Sequence, residues 1–281
     1  MPIRIFDGSQ CQLGESATWI ESRGSFVWLD ILSRKLFEKK LDISGPADVH
    51  DLLFTASAIL IRTGAPSSVV ILVAENGVYE FDLDTSEVFL KQKYTLPSTH
   101  RTNDAGLDPS GRIVFGVMEW EPSGLNGWVS RVNHDGHIEV LIDQIGIPNT
   151  FVWSDDGAII YYADSYMQAM FAADYSEAVG PRRTLFSIDG NATPDGSDLA
   201  GGYLYNAEWD GWRVTKRSLL NGDVAGCVEL PVSRPTSCAI GNGSVVITTA
   251  KVDLTAQELV ESPCSGMTYI VSLDDFEVGV L

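Results

Sequence analysis

Cysteine is scarce in this chain: four in 281 residues, Cys11, Cys227, Cys238 and Cys264, with no Cys-x-x-Cys pair. That spacing argues against a disulfide framework or a cysteine metal site, and the four are expected to be reduced, mostly buried thiols. Positive charge is also in short supply. Nineteen lysines and arginines stand against 38 aspartates and glutamates, a net charge of -19. The clustered cations that displace counterions from nucleic acid, or hold an anionic membrane surface, are missing. No apolar run approaches the ~20 residues of a membrane span. The first residues, Met1-Pro2-Ile3-Arg4-Ile5-Phe6-Asp7, lack the basic start and apolar stretch of a signal peptide. A cytoplasmic protein without nucleic-acid or membrane partners is the expectation. Apolar spacing at the helical period is not sustained anywhere. Finally, the chain has no GxSxG, GxGxxG, GxxxxGK[ST] or HExxH, so the common serine-hydrolase, nucleotide and zincin signatures are absent.

What the chain has is glycine, 26 residues, much of it in turns ahead of short β-branched and aromatic runs. Six such runs recur: Phe26 to Leu29, Val69 to Ala74, Ile113 to Met118, Ile159 to Ala163, Tyr203 to Ala207 and Val245 to Ala250. Their starts are 43, 44, 46, 44 and 42 residues apart. A fixed period of about 40 to 50 residues, with several short strands in each, marks a propeller blade. Six units use the whole chain, so the expectation is all-β: one six-bladed β-propeller domain over 1–281, with four-stranded antiparallel blades. Ile3-Arg4-Ile5-Phe6 is left over at the start and is predicted to close the ring as outermost strand of the last blade, which removes an open edge.

Ahead of each run lies a predicted innermost strand in which a small or polar residue precedes an apolar one by four positions: Glu15 and Trp19, Ser57 and Ile61, Asn103 and Leu107, Asn149 and Trp153, Asp195 and Leu199, Thr236 and Ile240. Alternation along a strand points both members of each pair the same way, the first toward a channel mouth and the second deeper. Glu15, Asn103, Asn149 and Asp195 then offer only oxygen. Such donors suit a hard divalent cation, calcium, magnesium or manganese, and ligand type also admits a catalytic zinc or iron. His134 and His137 flank a turn at the wrong phase. Asp82, Asp84 and Ser86 imitate an EF-hand start, but Glu87 and Lys93 occupy its glycine and terminal glutamate positions, which rules that loop out.

Leu13-Gly14-Glu15-Ser16-Ala17-Thr18-Trp19, Arg101 to Arg112, Asn149 to Gly157, Tyr162-Ala163-Asp164-Ser165, Pro194-Asp195-Gly196 and Arg234 to Cys238 together resemble the SMP-30/gluconolactonase/luciferin-regenerating family. The resemblance runs through the chain in the family's order. It implies a six-bladed propeller with one divalent cation and sugar-lactone hydrolysis. Carried over by position, Glu15, Asn149 and Asp195 match the family's metal ligands. Arg101 and Asn103 match substrate-binding residues, and Glu121 falls where the family has a substrate-contacting acid. The implied chemistry has the metal as Lewis acid and Asp195 as general base. Ser16 and Thr150 depart from the pattern by replacing the glycines that follow two ligands, and Ala105 replaces a third. Two other readings stand beside this one: a non-enzymatic propeller that binds a metal or small ligand, and a hydrolase of non-sugar lactones or esters, with Trp120, Trp209 and Trp212 as an aromatic rim.

Overall fold

Each of the six apolar runs becomes the second strand of a four-stranded sheet, and the sheets are the blades of a six-bladed β-propeller. The computed structural model describes residues 3–276. Strand β1 (Arg4–Asp7) comes first. The first full set is β2 (Gly14–Ile20), β3 (Ser25–Asp30), β4 (Lys35–Lys40) and β5 (Asp48–Asp51). The second is β6 (Ala56–Leu60), β7 (Val69–Ala74), β8 (Gly77–Asp82) and β9 (Val88–Lys93). The third is β10 (His100–Leu107), β11 (Ile113–Glu119), β12 (Gly127–Val132) and β13 (Ile138–Ile145). The fourth is β14 (Pro148–Trp153), β15 (Ile159–Asp164), β16 (Ala169–Asp174) and β17 (Arg183–Ser187). The fifth is β18 (Thr193–Ala200), β19 (Tyr203–Trp209), β20 (Arg213–Ser218) and β21 (Val224–Glu229). The last is β22 (Pro235–Gly241), β23 (Ser244–Thr249) and β24 (Thr268–Ser272), completed by β1 on the edge of β24 with Arg4 opposite Ile270. The expected closure of the ring by the leading strand is thus present.

Contacts group the chain into two compact units, Ala56–Pro194 and the remainder, with the boundary inside β18. In the first-to-last unit, Phe6, Phe26, Trp28 and Phe37 form one apolar cluster, with the Trp28 and Phe37 rings stacked at 5.3 Å. Tyr205, Val214, Val245, Ile247 and Phe276 form another. In the Ala56–Pro194 unit, Val73, Val117 and Phe115 anchor one cluster, and Val129, Ile160 and Phe171 a second. The second strands are buried almost throughout, as continuous apolar runs covered on both faces must be. The one α-helix among the described residues, α1 (Ala256–Glu261), starts at a Thr255–Glu258 capping box between β23 and β24. No helix among those residues is long and apolar enough to cross a membrane.

The innermost strands depart from the regular alternation the sequence suggested. The ladder register breaks between Glu15 and Thr18, Ala56 and Ala58, Thr102 and Ala105, Asn149 and Val152, and Pro235 and Ser237. A bulge inserts residues without a partner and resets which face the next side chain takes. Residues four apart therefore do not share a direction here. Trp19, Leu107, Trp153 and Ile240 pack against the apolar clusters instead of plugging a channel. The mouth residues Glu15, Ser57, Asn103, Asn149 and Thr236 sit at or within these irregularities.

Candidate functional site

In the Ala56–Pro194 unit, the predicted site residues form a row of hydrogen bonds with a fixed direction. Arg101 Nη1 donates to Asn103 Oδ1 at 2.7 Å. Asn103 Nδ2 donates to Asn149 Oδ1 at 2.9 Å and to the Pro148 carbonyl at 3.1 Å. Asn149 Nδ2 donates to Ser165 Oγ at 2.9 Å, and Ser165 Oγ donates to the Pro194 carbonyl at 2.6 Å. Both ends of the row are unambiguous, because a guanidinium only donates and a peptide carbonyl only accepts. Every amide between them is thereby oriented. Arg101, Asn103, Asn149 and Ser165 are all buried, so water competes little for these bonds. Arg101 also lies over the Trp120 ring, 5.6 Å from its centroid, an arrangement that restrains the guanidinium.

Asn103 therefore turns its amide nitrogen, not its oxygen, toward Asn149. The structure places it as a donor beside Asn149. Ser57, the smaller residue at the same phase of the preceding blade, is committed to Thr102 Oγ1 at 2.7 Å. Glu121 is exposed in the loop after β11 and takes no part in the row. Its neighbour Glu119 organises that loop instead, accepting from Ser123 N, Ser123 Oγ and Asn126 Nδ2 at 2.9 to 3.0 Å.

In the other unit, Glu15 and Asp195 occupy the corresponding phase of β2 and β18. Glu15 lies opposite Leu29 just before the bulge and accepts from its own neighbour, Ser16 N, at 3.3 Å. Thr236 donates to the Gly14 carbonyl, which precedes Glu15. Asp195 is 5% exposed. Its carbonyl accepts from Asn206 Nδ2 at 2.8 Å, and its Oδ1 accepts from Gly196 N at 3.1 Å. Asn206 is wholly buried, and its Oδ1 has no hydrogen-bond partner among the described residues. Trp209 packs under the Arg234 guanidinium at 4.8 Å, whereas Trp212 is exposed.

The residues after two of the expected ligands hold an unusual backbone. Ser16 and Thr150 both have φ of 54°, in the left-handed region that glycine adopts freely and a β-branched residue rarely does. A glycine would be unstrained at either place. Asp104 supports the Thr150 bulge, since its Oδ2 accepts from Thr150 N at 2.8 Å and its Oδ1 from Ala105 N at 2.7 Å. Burial raises the Asp104 carboxyl to about 6 despite those two amides. Asp198 makes a similar pair of backbone contacts in the other unit, accepting from Ile240 N at 2.8 Å and Leu199 N at 2.7 Å, and burial raises it too. Sequence reasoning missed Ser165, Asp104, Asp198 and Asn206 as supports. Ser165 and Asp104 lie inside segments singled out above, but nothing in composition marks their roles.

A cavity of about 720 Å³ opens elsewhere, between the β6–β9 and β10–β13 sheets, and none of Arg101, Asn103, Glu121 or Asn149 lines it. Among the described residues no three His, Cys, Asp or Glu side chains group as a metal site. The expected set is of another composition, two carboxylates and one carboxamide.

The SMP-30/Gluconolactonase/LRE-like region matches residues 13–251. The chain belongs to this family. Among its relatives is an L-arabinolactonase of Azospirillum brasilense, 30% identical over 271 residues that cover 92% of this chain and 87% of that protein. Human regucalcin is 29% identical over 279 residues, covering 91% of this chain and 89% of its own length. A solved structure of regucalcin from Agrobacterium tumefaciens, described as a calcium-binding protein, has a TM-score of 0.87 at 25% identity and covers 95% of this chain and 92% of that one. Family membership bears out the resemblance drawn from the motif set, and the fold it implied is the fold observed.

Proposed function

We propose that the protein hydrolyses a sugar lactone to the open aldonic acid with one divalent cation, calcium first, held by Glu15, Asn149 and Asp195. The observation that carries this reading is the orientation of Asn149 in a chain whose relatives include a named lactonase. Its amide nitrogen is committed to Ser165, and its oxygen, which accepts from Asn103 through one of two lone pairs, is the end able to act as a ligand. The donor chemistry fits: two carboxylates and a carboxamide oxygen, with no thiolate or imidazole, make a hard-oxygen set. When bound, the cation supplies Lewis-acid polarisation of the lactone carbonyl and offsets the charge that develops on its oxygen.

The chain's own residues do the rest. The Asp195 carboxylate takes a proton from the water that adds to the carbonyl carbon. The ring C–O bond then breaks, and the departing oxygen takes up that proton to become a hydroxyl. Arg101 holds a sugar hydroxyl or carboxylate with its guanidinium, whose position over the Trp120 ring limits its motion. Asn103 and Glu121 complete the substrate contacts.

The test is titration of released acid on a panel of aldonolactones and non-sugar lactones, before and after chelation and recalcification. Chelator-sensitive turnover, greatest on a sugar lactone and lost in Asp195→Ala, is the expected result. Full activity of Asp195→Ala would remove it as the base, and no hydrolysis of any lactone would leave a binding propeller.

A further inference from the structure

An asparagine that ligates a cation has a weakness that a carboxylate lacks. Its two ends are nearly the same shape, yet only the oxygen can coordinate, and a half-turn of the amide presents hydrogens to the ion. Something must hold it the right way round. We propose that Ser165 is that positioning residue, fixing the Asn149 amide with its oxygen toward the cation; the inference rests on the metal reading above.

Proton count fixes the orientation. Ser165 Oγ carries a single hydrogen and lies 2.6 Å from the Pro194 carbonyl, which can only accept. The hydrogen goes there. At its other contact, 2.9 Å from Asn149, the hydroxyl can then only accept, and only the amide nitrogen can give. The Arg101 end of the row dictates the same orientation independently, because Arg101 claims Asn103 Oδ1 and leaves Asn103 Nδ2 facing Asn149 Oδ1.

Ser165 is itself held in place. It opens a 3-10 turn, Ser165–Met167, capped by Asp164, whose carboxylate accepts from Tyr166 N. The same carboxylate accepts from Gly146 N and Ile147 N just before β14, and Ser165 N donates to the Ile147 carbonyl at 2.9 Å. The hydroxyl is thus fixed relative to the strand that carries Asn149. Pro194 is moreover joined by its peptide bond to Asp195, so one hydroxyl links the amide of one expected ligand to the backbone leading into another.

Calorimetric titration of calcium into the metal-stripped full chain tests this, with circular dichroism and apo melting temperature as folding checks. Ser165→Ala is expected to weaken calcium binding about 10- to 100-fold, the usual effect of losing a partner that orients a ligand. In an Asn149→Asp background the same substitution should weaken it less than about threefold, because a carboxylate offers oxygen at both ends. Should Ser165→Ala fail to fold, Ser165→Cys, with its weakly accepting thiol, is expected to show the same loss and the same rescue. Calcium affinity unchanged in Ser165→Ala, or a penalty undiminished by Asn149→Asp, overturns the inference alone. A wild-type chain that binds neither calcium nor magnesium, manganese or zinc overturns the metal reading and this inference with it.

Discussion

Adding one methyl group at Gly106 is expected to damage both the fold and the site. Gly106 lies in β10, where β14 passes very close. A Cβ there would stand 2.3 Å from the Phe151 carbonyl oxygen, 2.8 Å from the Trp153 ring and 3.0 Å from Phe151 Cβ. The nearest obstacle is backbone, so relief requires the two innermost strands to part by on the order of 1 Å, and overpacking of this kind costs roughly 1 to 3 kcal/mol. Restricting the unfolded chain returns only about 0.5 kcal/mol. A net loss of about 1.5 kcal/mol lowers the melting temperature of a chain this size by roughly 3 to 6 °C. Gly8→Ala is the control, since nothing lies within 4 Å of its Cβ position; it should melt within about 2 °C of the parent. Scanning calorimetry on the two variants decides the matter, and Gly106→Ala melting together with Gly8→Ala would refute the close approach. The Asn103 to Asn149 hydrogen bond spans the same two strands at 2.9 Å, so Gly106→Ala should also weaken calcium binding.

Glu38 accepts from Arg23 Nε at 2.7 Å and from Ser25 Oγ at 2.6 Å. Burial raises its carboxyl, but these bonds and the Arg23 charge outweigh it and hold the group below the ordinary glutamate value. A folded-state value that is depressed gives stability that is full above the unfolded value of about 4.3 and lost as pH falls through the folded one. Glu38→Gln should therefore unfold about 1 to 3 kcal/mol more easily than the parent in urea at pH 7, with the gap closing below about pH 4; a gap independent of pH would contradict the assignment. For Arg101→Ala, the expected outcome is a KM raised about 10- to 100-fold with kcat changed much less, the mark of lost substrate binding. An equal fall in kcat would instead make Arg101 part of the chemistry.

The blades were legible because their second strands are buried on both faces, which forces unbroken apolar runs and makes the period visible. The closing strand was legible as four alternating residues with no place in the repeat. The bulges were not. An extra residue in a strand leaves no compositional trace, and at Ser16 and Thr150 the glycines that would have announced a left-handed backbone have been replaced. Parity counted across the bulges consequently assigned Trp19 and Trp153 to a channel when they belong to apolar clusters. The mouth phase was readable from Glu15, Asn103, Asn149 and Asp195, but which way each amide faces depends on Arg101 and on Ser165. The latter is brought beside Asn149 by a turn 16 positions later. No local pattern encodes that meeting.

The pairing of β1 with β24 sets a timetable for biosynthesis. The strand opposite Arg4 contains Ile270, so β1 leaves the ribosome long before the edge it pairs with has been made. At about 5 to 20 residues per second the delay is on the order of ten to fifty seconds. Throughout it the apolar side of β1, with Phe6 destined for the Phe26 and Trp28 cluster, has no sheet edge to join. Final assembly of that blade therefore waits for β24, and factors that shield nascent chains have that interval in which to act on β1.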